Sequence, residues 1–343
     1  MFHRTKNKKL MPEPFQLSSQ IHNDSIPNSY PLDIDANKSH SGIFSASFGN
    51  GDIKVFDVNN STLQDSTTVW SCSSSIISQI KWDPNAPFMI WAATKDSAAV
   101  FAIDTRTAPN CKALDLSLQS KENVPISFDV SNTGVLAVGT ELASYEAPLF
   151  FFDQRQPGVE LKRFQDVHSD DITQVRFHPT DSNALITGST DGLVNLYNLQ
   201  EQEEDDALYQ VIKDTSISKI GFFGPCYEYI YCSTHIETIS LYSFQDAQKI
   251  IQFGDVRGVS PELSLDYCID WTFDHRSNHL FLHAGSRDGN IGILNVSLSG
   301  LQVAMTLNGG HSDIIRCNHW IPERGIYISG GEDGLLNLWQ QAL

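Results

Sequence analysis

The chain has 343 residues, of which 41% are hydrophobic and 10% aromatic, so it can bury a large core and wholesale disorder is excluded. Acidic residues outnumber basic residues by 41 to 23, which gives a formal net charge of −18. Because so acidic a body repels phosphate, direct binding of nucleic acid is disfavoured and a basic protein partner is favoured.

The N-terminal segment is the one basic stretch of the chain. It carries Arg4, Lys6, Lys8 and Lys9 without an acidic residue and without the apolar run of a secretory signal. Residues 1–12 are therefore predicted to form a disordered, solubilising tail, with a weak nuclear-import patch or an RNA contact as the alternative. Since no apolar run approaches a membrane span and the six cysteines form no Cys-x-x-Cys pair, a reducing compartment, cytoplasm or nucleus or both, is expected.

The first predicted elements are strands near residues 14–21, 30–36, 42–48 and 53–58. Later segments alternate apolar and polar residues and close with an aromatic or apolar residue and a Pro or Gly, as half-buried strands do. These segments are residues 76–84, 171–179, 216–224 and 314–322. No amphipathic helix of useful length competes with this pattern, which predicts an all-β protein.

Three segments share one hairpin pattern, namely residues 187–198 (TGSTDGLVNLYN), 284–295 (AGSRDGNIGILN) and 329–340 (SGGEDGLLNLWQ). In each, small residues end a strand, Asp-Gly forms a tight turn, and an apolar strand closes with a bulky residue six positions after the Asp. Four weaker copies fit the same template. The seven closing residues are Phe56, Ile103, Phe152, Tyr197, Tyr242, Leu294 and Trp339.

Successive closing residues lie 45 to 52 residues apart, and seven units with this spacing predict a seven-bladed β-propeller. The chain stops just after the third strand of the seventh unit, and a four-stranded blade needs one more strand or its edge stays open. We therefore expect residues 14–21 to pair with residues 335–340 and close the ring. The prediction is a single propeller domain over residues 13–343.

On these motifs the chain resembles the WD-repeat β-propeller family over about residues 13–343. The resemblance implies a buried hydrogen-bonded tetrad in two units, in which an imidazole between a carboxylate and a hydroxyl satisfies three polar groups. Tyr197 cannot place a donor where an indole N–H would be, so the tetrad of the fourth unit is expected to be imperfect. The implied tetrads are His311, Ser329, Asp333 and Trp339 in the seventh unit, and His168, Thr187, Asp191 and Tyr197 in the fourth.

His311, Asp333 and Ser329 also match the residue types of a catalytic triad. The repeat places them inside a blade, without a cleft or oxyanion donors, so a structural role is favoured. The sequence contains no Gly-x-Ser-x-Gly elbow and no phosphate-binding Gly loop, and its histidines lack metal-ligand spacing. We therefore expect no enzymatic activity, no cofactor and no metal.

Two strand ends resemble the Trp-Asp-x-Arg box by which some WD propellers dock to the adaptor of cullin-4 ubiquitin ligases. They place Arg106 and Arg155 after Asp104 and Asp153, but Ile103 and Phe152 stand where the box has Trp or Tyr. A local ion pair is the simpler interpretation, and ligase docking is the alternative.

Other candidate residues for partner binding lie in predicted loops. The acidic run Glu203, Glu204, Asp205 and Asp206 follows the third strand of the fourth unit and is either a solvated loop or a landing site for a basic client. By topology the acidic loop shares a face of the ring with Arg106 and Arg155. The opposite face should carry the residues that precede each turn Asp, or the residue in its place, and propellers of this family often bind partners there. These residues are Lys95, Thr190, His235, Arg287 and Glu332.

The sequence therefore predicts a non-catalytic protein-interaction scaffold that works as a monomeric propeller within larger assemblies. Its sharper form is an acidic escort or assembly factor for a basic client such as a ribosomal protein or a histone. The alternative is a substrate receptor of a cullin-4 type ubiquitin ligase.

Overall fold

The computed structural model describes residues 14–22, 29–40, 42–58, 63, 66–72, 75–118, 122–156 and 158–341. These residues form seven four-stranded antiparallel sheets, and each sheet is one blade of a β-propeller. The seven-bladed, nearly all-β fold expected from the repeats is confirmed. No helix in the described ranges is long and apolar enough to cross a membrane. The expected basic tail over residues 1–12 lies outside the described residues.

Blades one to six each take four consecutive strands, whereas blade seven takes its outer strand from the N-terminal side of the chain. The first four blades contain β2 (Pro31–Ala36), β3 (Ile43–Phe48), β4 (Asp52–Asp57), β5 (Ser66–Ser71); β6 (Ile77–Trp82), β7 (Met89–Thr94), β8 (Ala99–Asp104), β9 (Lys112–Ser117); β10 (Pro125–Val130), β11 (Val135–Thr140), β12 (Leu149–Asp153), β13 (Glu160–Phe164); β14 (Gln174–Phe177), β15 (Ala184–Gly188), β16 (Leu193–Asn198), β17 (Leu208–Lys213).

The remaining blades follow the same order. They contain β18 (Ile217–Phe223), β19 (Tyr229–Thr234), β20 (Thr238–Ser243), β21 (Lys249–Asp255); β22 (Tyr267–Asp274), β23 (His279–Gly285), β24 (Ile291–Ser297), β25 (Gly300–Leu307); β26 (Ile315–Ile321), β27 (Ile326–Gly331), β28 (Leu335–Gln341) and β1 (Phe15–His22). The described helices are short: α1 (Glu204–Ala207) and 3₁₀ turns at Val256–Gly258 and Pro322–Arg324.

The first strand of each blade faces the centre of the ring. This follows from the contacts between neighbouring blades, in which β2 touches β6 and β26, and β10 touches β6 and β14. Because successive strands reverse direction, one face of the ring carries the turns between second and third strands and the connections from blade to blade. We call it the turn face. The other face, here the loop face, carries the remaining loops.

The seven closing residues all lie in the third strands, and none is more than 3% exposed. They pack into hydrophobic clusters that extend from one blade into the next, as where Trp91 of blade two meets Phe128 and Phe150 of blade three. The apolar side chains whose alternation identified the repeats thus form the packing surface between blades.

β1 closes the ring by pairing antiparallel with β28. Phe15 lies opposite Gln341 and Ile21 opposite Leu336, with an irregularity in register between Leu17 and Ser19. The expected pairing of N-terminal residues with residues 335–340 is therefore confirmed. The Phe15 ring packs edge-on against Trp320 and Tyr327 with centroid distances of 6.2 and 6.0 Å, so the closure also buries an aromatic side chain.

Two substitutions within β1 test this closure. We expect Phe15→Ala to lower the free energy of unfolding by about 3 kcal/mol, because it empties a buried aromatic site in blade seven. Leu17→Ala is the matched control, since Leu17 lies on the same strand but is 40% exposed, and it should cost less than about 1 kcal/mol. Urea unfolding of both variants measures the difference. Equal effects would mean that the strand adds backbone pairing but no core packing.

Candidate functional site

The tetrad of blade seven lies beneath the turn face. The Nδ1 atom of His311 is 3.2 Å from both carboxylate oxygens of Asp333, and its Nε2 atom is 2.8 Å from Ser329 Oγ. Trp339 Nε1 donates to the same hydroxyl at 2.9 Å. Burial acts to raise the pKa of Asp333, but hydrogen bonds from His311 and from the backbone N–H of Ser312 hold it below its usual value. The four side chains therefore satisfy one another.

Blade four repeats this arrangement around His168. Its Nδ1 atom lies 2.9 Å from Asp191 Oδ2, and its Nε2 atom lies 2.7 Å from Thr187 Oγ1. Tyr197 is fully buried, and its hydroxyl accepts a hydrogen bond of 3.1 Å from Asn195 Nδ2. Tyr197 also has a side-chain hydrogen bond with Thr187. The aromatic residue of this blade thus bonds the tetrad hydroxyl and, in addition, an amide that was not predicted as part of the tetrad.

That amide is a member of the network that the sequence analysis missed. Asn195 Nδ2 also donates to Val167 O at 2.7 Å, and Asn337 Nδ2 donates to Gly310 O at the same distance. Each asparagine thereby fixes the residue just before a tetrad histidine. The available signal was the shared Asn-Leu-aromatic sequence at the end of the two hairpins, at residues 195–197 and 337–339.

The tetrad cannot act as a hydrolytic triad in this arrangement. Ser329 is 0% exposed, and its hydroxyl is held by both an imidazole and an indole, so a substrate could not approach it. The described parts of the chain also contain no group of three or more His, Cys, Asp or Glu side chains that could hold a metal ion. The polar cluster therefore acts to hold strands together.

We expect His311→Ala to lower the free energy of unfolding by about 1–3 kcal/mol, because it leaves Asp333 and Ser329 buried without their shared partner. His235→Ala is the control, since His235 is exposed on the turn face and its Nδ1 atom lies 2.8 Å from the hydroxyl of Ser216, which is outside any tetrad. Thermal unfolding monitored by circular dichroism measures both. A silent His311 variant would show that the tetrad adds nothing to stability.

A second polar network lines the centre of the ring, and no sequence motif predicted it. Side-chain oxygens on one inner strand accept hydrogen bonds from backbone N–H groups of the next inner strand. The pairs are Asp33 with Ile80 at 2.9 Å, Asp35 with Trp82 at 2.7 Å, Gln79 with Phe128 at 2.8 Å and Asp129 with Phe177 at 2.8 Å. These bonds join blades one to four to one another. Side chains make them because the inner strands of neighbouring blades do not pair through their backbones.

Two of these carboxylates lie in opposite electrostatic surroundings. Burial alone would raise the pKa of Asp129, but its contact with Lys81 and the nearby Arg176 hold the pKa below its usual value. Asp33 has no ion pair of this kind within the described residues, and burial raises its pKa to about 6 against the hydrogen bond from Ile80 and the attraction of Lys219. The ionised form of Asp33 is therefore disfavoured in the folded state.

The raised pKa of Asp33 fixes the direction in which the stability of the fold changes with pH. Because the folded pKa of Asp33 is raised, stability linked to this group is present below pH 3.8 and is lost as the pH rises towards about 6. We expect Asp33→Asn, whose amide oxygen can still accept from Ile80, to be more stable than the natural protein at pH 7.5 by up to about 3 kcal/mol. Near pH 4 the difference should vanish. Urea unfolding of both proteins across this range measures it, and a constant difference would contradict the assignment.

The candidate residues of the turn face lie one to a blade and do not form a cluster. Lys95 pairs with Glu141 of blade three at 3.1 Å, and the backbone N–H of Arg287 donates to Asp266 at 2.8 Å. Glu332 pairs with Arg316, and Thr190 is half-buried. The ring thus distributes these side chains around the turn face.

On the loop face, the two arginines form local ion pairs. Arg106 donates to both oxygens of Asp104, at 2.9 and 2.6 Å, and Arg155 makes the same fork with Asp153, at 2.9 and 2.7 Å. The hydrogen bond from each arginine lowers the pKa of its aspartate. Arg257 bonds Asp255 in the same way after an outer strand, where no docking box would lie. The fork is therefore a general way for this chain to end a strand.

The acidic loop also lies on the loop face, around α1. Glu204 Oε2 accepts from the backbone N–H of Gln165 at 2.7 Å and so ties the loop to blade three. Burial raises the pKa of Glu204. Glu203, Asp205 and Asp206 are exposed. One carboxylate of the run is thus structural, and three are presented to solvent.

The fold is a seven-bladed propeller, which is typical of protein-interaction scaffolds. The family described as "WD domain, G-beta repeat" matches residues 159–198 and 302–340, the two units that contain the tetrads. The chain is 30% identical over 305 residues to "Uncharacterized WD repeat-containing protein YNL035C" of Saccharomyces cerevisiae, which covers 85% of this chain and 74% of that protein. The chain therefore belongs to the WD repeat-containing protein family.

Two further relatives span most of the propeller. The "WD repeat-containing protein 89 homolog" of Dictyostelium discoideum is 27% identical over 337 residues, which are 94% of this chain and 88% of the relative. "WD repeat-containing protein GTS1" of Arabidopsis thaliana is 28% identical over 286 residues, which are 78% and 71% of the two chains. The likeness thus extends well beyond the two tetrad-bearing units.

Proposed function

We propose that this protein is a non-catalytic interaction scaffold that binds a basic client protein, such as a ribosomal protein or a histone, as an escort or assembly factor. The observation that carries the proposal is the net charge of −18 on a seven-bladed propeller. Such a charge repels acidic surfaces and nucleic acid and accelerates encounters with a basic partner.

The distribution of charge supports this choice. Exposed carboxylates remain on both faces after the buried ones have been taken up in hydrogen bonds. On the loop face they include Glu203, Asp205 and Asp206, and on the turn face Glu262, Asp288 and Asp313. A basic client would therefore meet a favourable field from either direction, and the contacts of individual loops would decide where it docks.

Membership of the family supports the non-catalytic role in this proposal, because WD propellers are generally interaction scaffolds. The residues of triad type are buried and bonded to one another, as described above. What the ring offers to a partner is a fixed arrangement of turns, loops and strand edges.

The ligase alternative rests on Arg106 and Arg155, whose side chains are 63% and 74% exposed. Each guanidinium already binds its own aspartate through two N–H groups, so an adaptor would have to share or break this pair. The occurrence of the same fork at Arg257 favours a local role for the arginines. The geometry thus supports the scaffold proposal better than it supports adaptor docking.

Affinity purification of the full chain at low and at high ionic strength tests the proposal. We expect basic proteins to be retained at low salt and lost at high salt, because exposed charge pairs are screened. A protein that carries Arg106→Ala together with Arg155→Ala is the control and should retain the same clients. Recovery of acidic partners alone, or of a ligase adaptor that this double variant loses, would contradict the proposal.

A further inference from the structure

The turn between the second and third strands of blade three differs from its counterparts. Residues 141–148 connect β11 to β12, and within them Ala143 and Glu146 exchange two backbone hydrogen bonds of 2.9 and 3.0 Å. These bonds enclose Ser144 and Tyr145, whose φ angles are 53° and 72°. We call residues 141–148 the blade-three hairpin.

Its tip has a backbone that its residues do not favour. Two consecutive positive φ angles define a type I′ turn, which sequences such as Asn-Gly adopt most readily. In four other blades a glycine takes the positive φ of the corresponding turn, at Gly51, Gly192, Gly289 and Gly334. Ser144 and Tyr145 both carry a Cβ atom and are held in the left-handed region, and outliers of this kind often occur at functional sites.

The base of the blade-three hairpin is held firmly by the blades around it. Ala147 is fully buried, and Thr140 Oγ1 donates to Pro148 O at 3.0 Å. The backbone N–H of Leu142 donates to Asp171 of the next blade-to-blade connection at 2.8 Å. The tip is therefore presented at a fixed position on the turn face.

The side chain at this tip contributes nothing to the core. Tyr145 is 97% exposed, the highest value for any large apolar side chain among the described residues. Leu142, at the start of the same hairpin, is 40% exposed. An exposed aromatic side chain on a backbone that is already fixed has the form of a binding anchor, since the cost of ordering the backbone is met before a partner arrives.

Carboxylates lie on the blade-three hairpin and against it. Glu141 and Glu146 belong to the blade-three hairpin, Asp171 binds its backbone, and Glu122 accepts from Ser144 Oγ at 3.2 Å. Lys95, which bonds Glu141, is the one basic side chain that the described contacts place against the hairpin. An exposed aromatic ring among carboxylates is complementary to Lys and Arg, whose cations can lie over the ring while pairing with the acids.

We propose that the blade-three hairpin is the docking site for an extended Lys- and Arg-rich segment of a protein partner, with Tyr145 as its aromatic anchor. The inference rests on the proposed function, because it assumes a basic client. It goes beyond that function in assigning the contact to one hairpin on the turn face. The acidic loop on the loop face then contributes long-range attraction alone.

The test measures binding of a fluorescent synthetic peptide of alternating Arg and Gly residues to the full chain by anisotropy. We expect Tyr145→Ala to weaken binding about threefold to tenfold, because it removes the cation–π partner. Tyr145→Phe keeps the ring and should bind within about twofold of the natural protein. Since the side chain is exposed, the unfolding midpoint of both variants should stay unchanged.

A control that removes charge on the loop face separates the hairpin from the general field. Glu203→Gln, Asp205→Asn and Asp206→Asn together remove three exposed carboxylates from the loop face and should weaken binding less than Tyr145→Ala does. Hydrogen exchange should slow in residues 141–148 when the peptide is added. Equal binding by the natural protein and Tyr145→Ala would overturn the docking site and leave the scaffold proposal standing. A peptide that fails to bind even the natural protein would overturn both the docking site and the choice of a basic client.

Discussion

The inner strands of a propeller converge on its centre without pairing with one another, and this constraint governs much of the structure. Their backbone N–H groups need acceptors, and side chains supply them across the gap between blades. Asp33 accepts from Ile80, and Asp129 accepts from Phe177. An unpaired buried N–H would cost free energy comparable to a lost hydrogen bond. The polar side chains near the centre are therefore blade-to-blade connectors, and they account for aspartates that composition alone would assign to solvent.

The same requirement operates in blade seven, where β1 pairs with β28 and supplies the fourth strand of the sheet. The bonds between inner strands and the closure by β1 fix the blades against one another, so the turns project from a rigid base. A rigid base allows a turn to keep a conformation that its own residues disfavour. The blade-three hairpin is the clearest case, since Thr140 and Ala147 hold its base while Ser144 and Tyr145 adopt positive φ angles.

The sequence predicted the features that repeat locally. The closing residues, the Asp-Gly turns and the strand at residues 14–21 follow from alternation and spacing, and the structure has them as expected. It did not predict Asn195 as a partner of Tyr197, although the two lie two residues apart on β16 and share the Asn-Leu-aromatic sequence with blade seven. It did not predict Asp33 as the acceptor for Ile80, because that role depends on the register between strands of two different blades, 47 residues apart in the chain. Tyr145 was missed for another reason: a Ser-Tyr pair is not the chemistry by which type I′ turns are recognised.

Accessibility, rather than residue type, separates structure from function in this chain. His311, Asp333 and Ser329 have the composition of a hydrolytic triad, yet they are buried in mutual hydrogen bonds and stabilise a blade. Carboxylates divide in the same way, since Asp129 joins two blades while Asp205 lies in solvent. Because these buried polar side chains already have hydrogen-bond partners, a partner protein can be recognised only through the side chains that remain exposed. Among the exposed side chains of the described residues, Tyr145 is the aromatic one that the fold leaves furthest in solvent, which is why the assignment of a docking site depends on it.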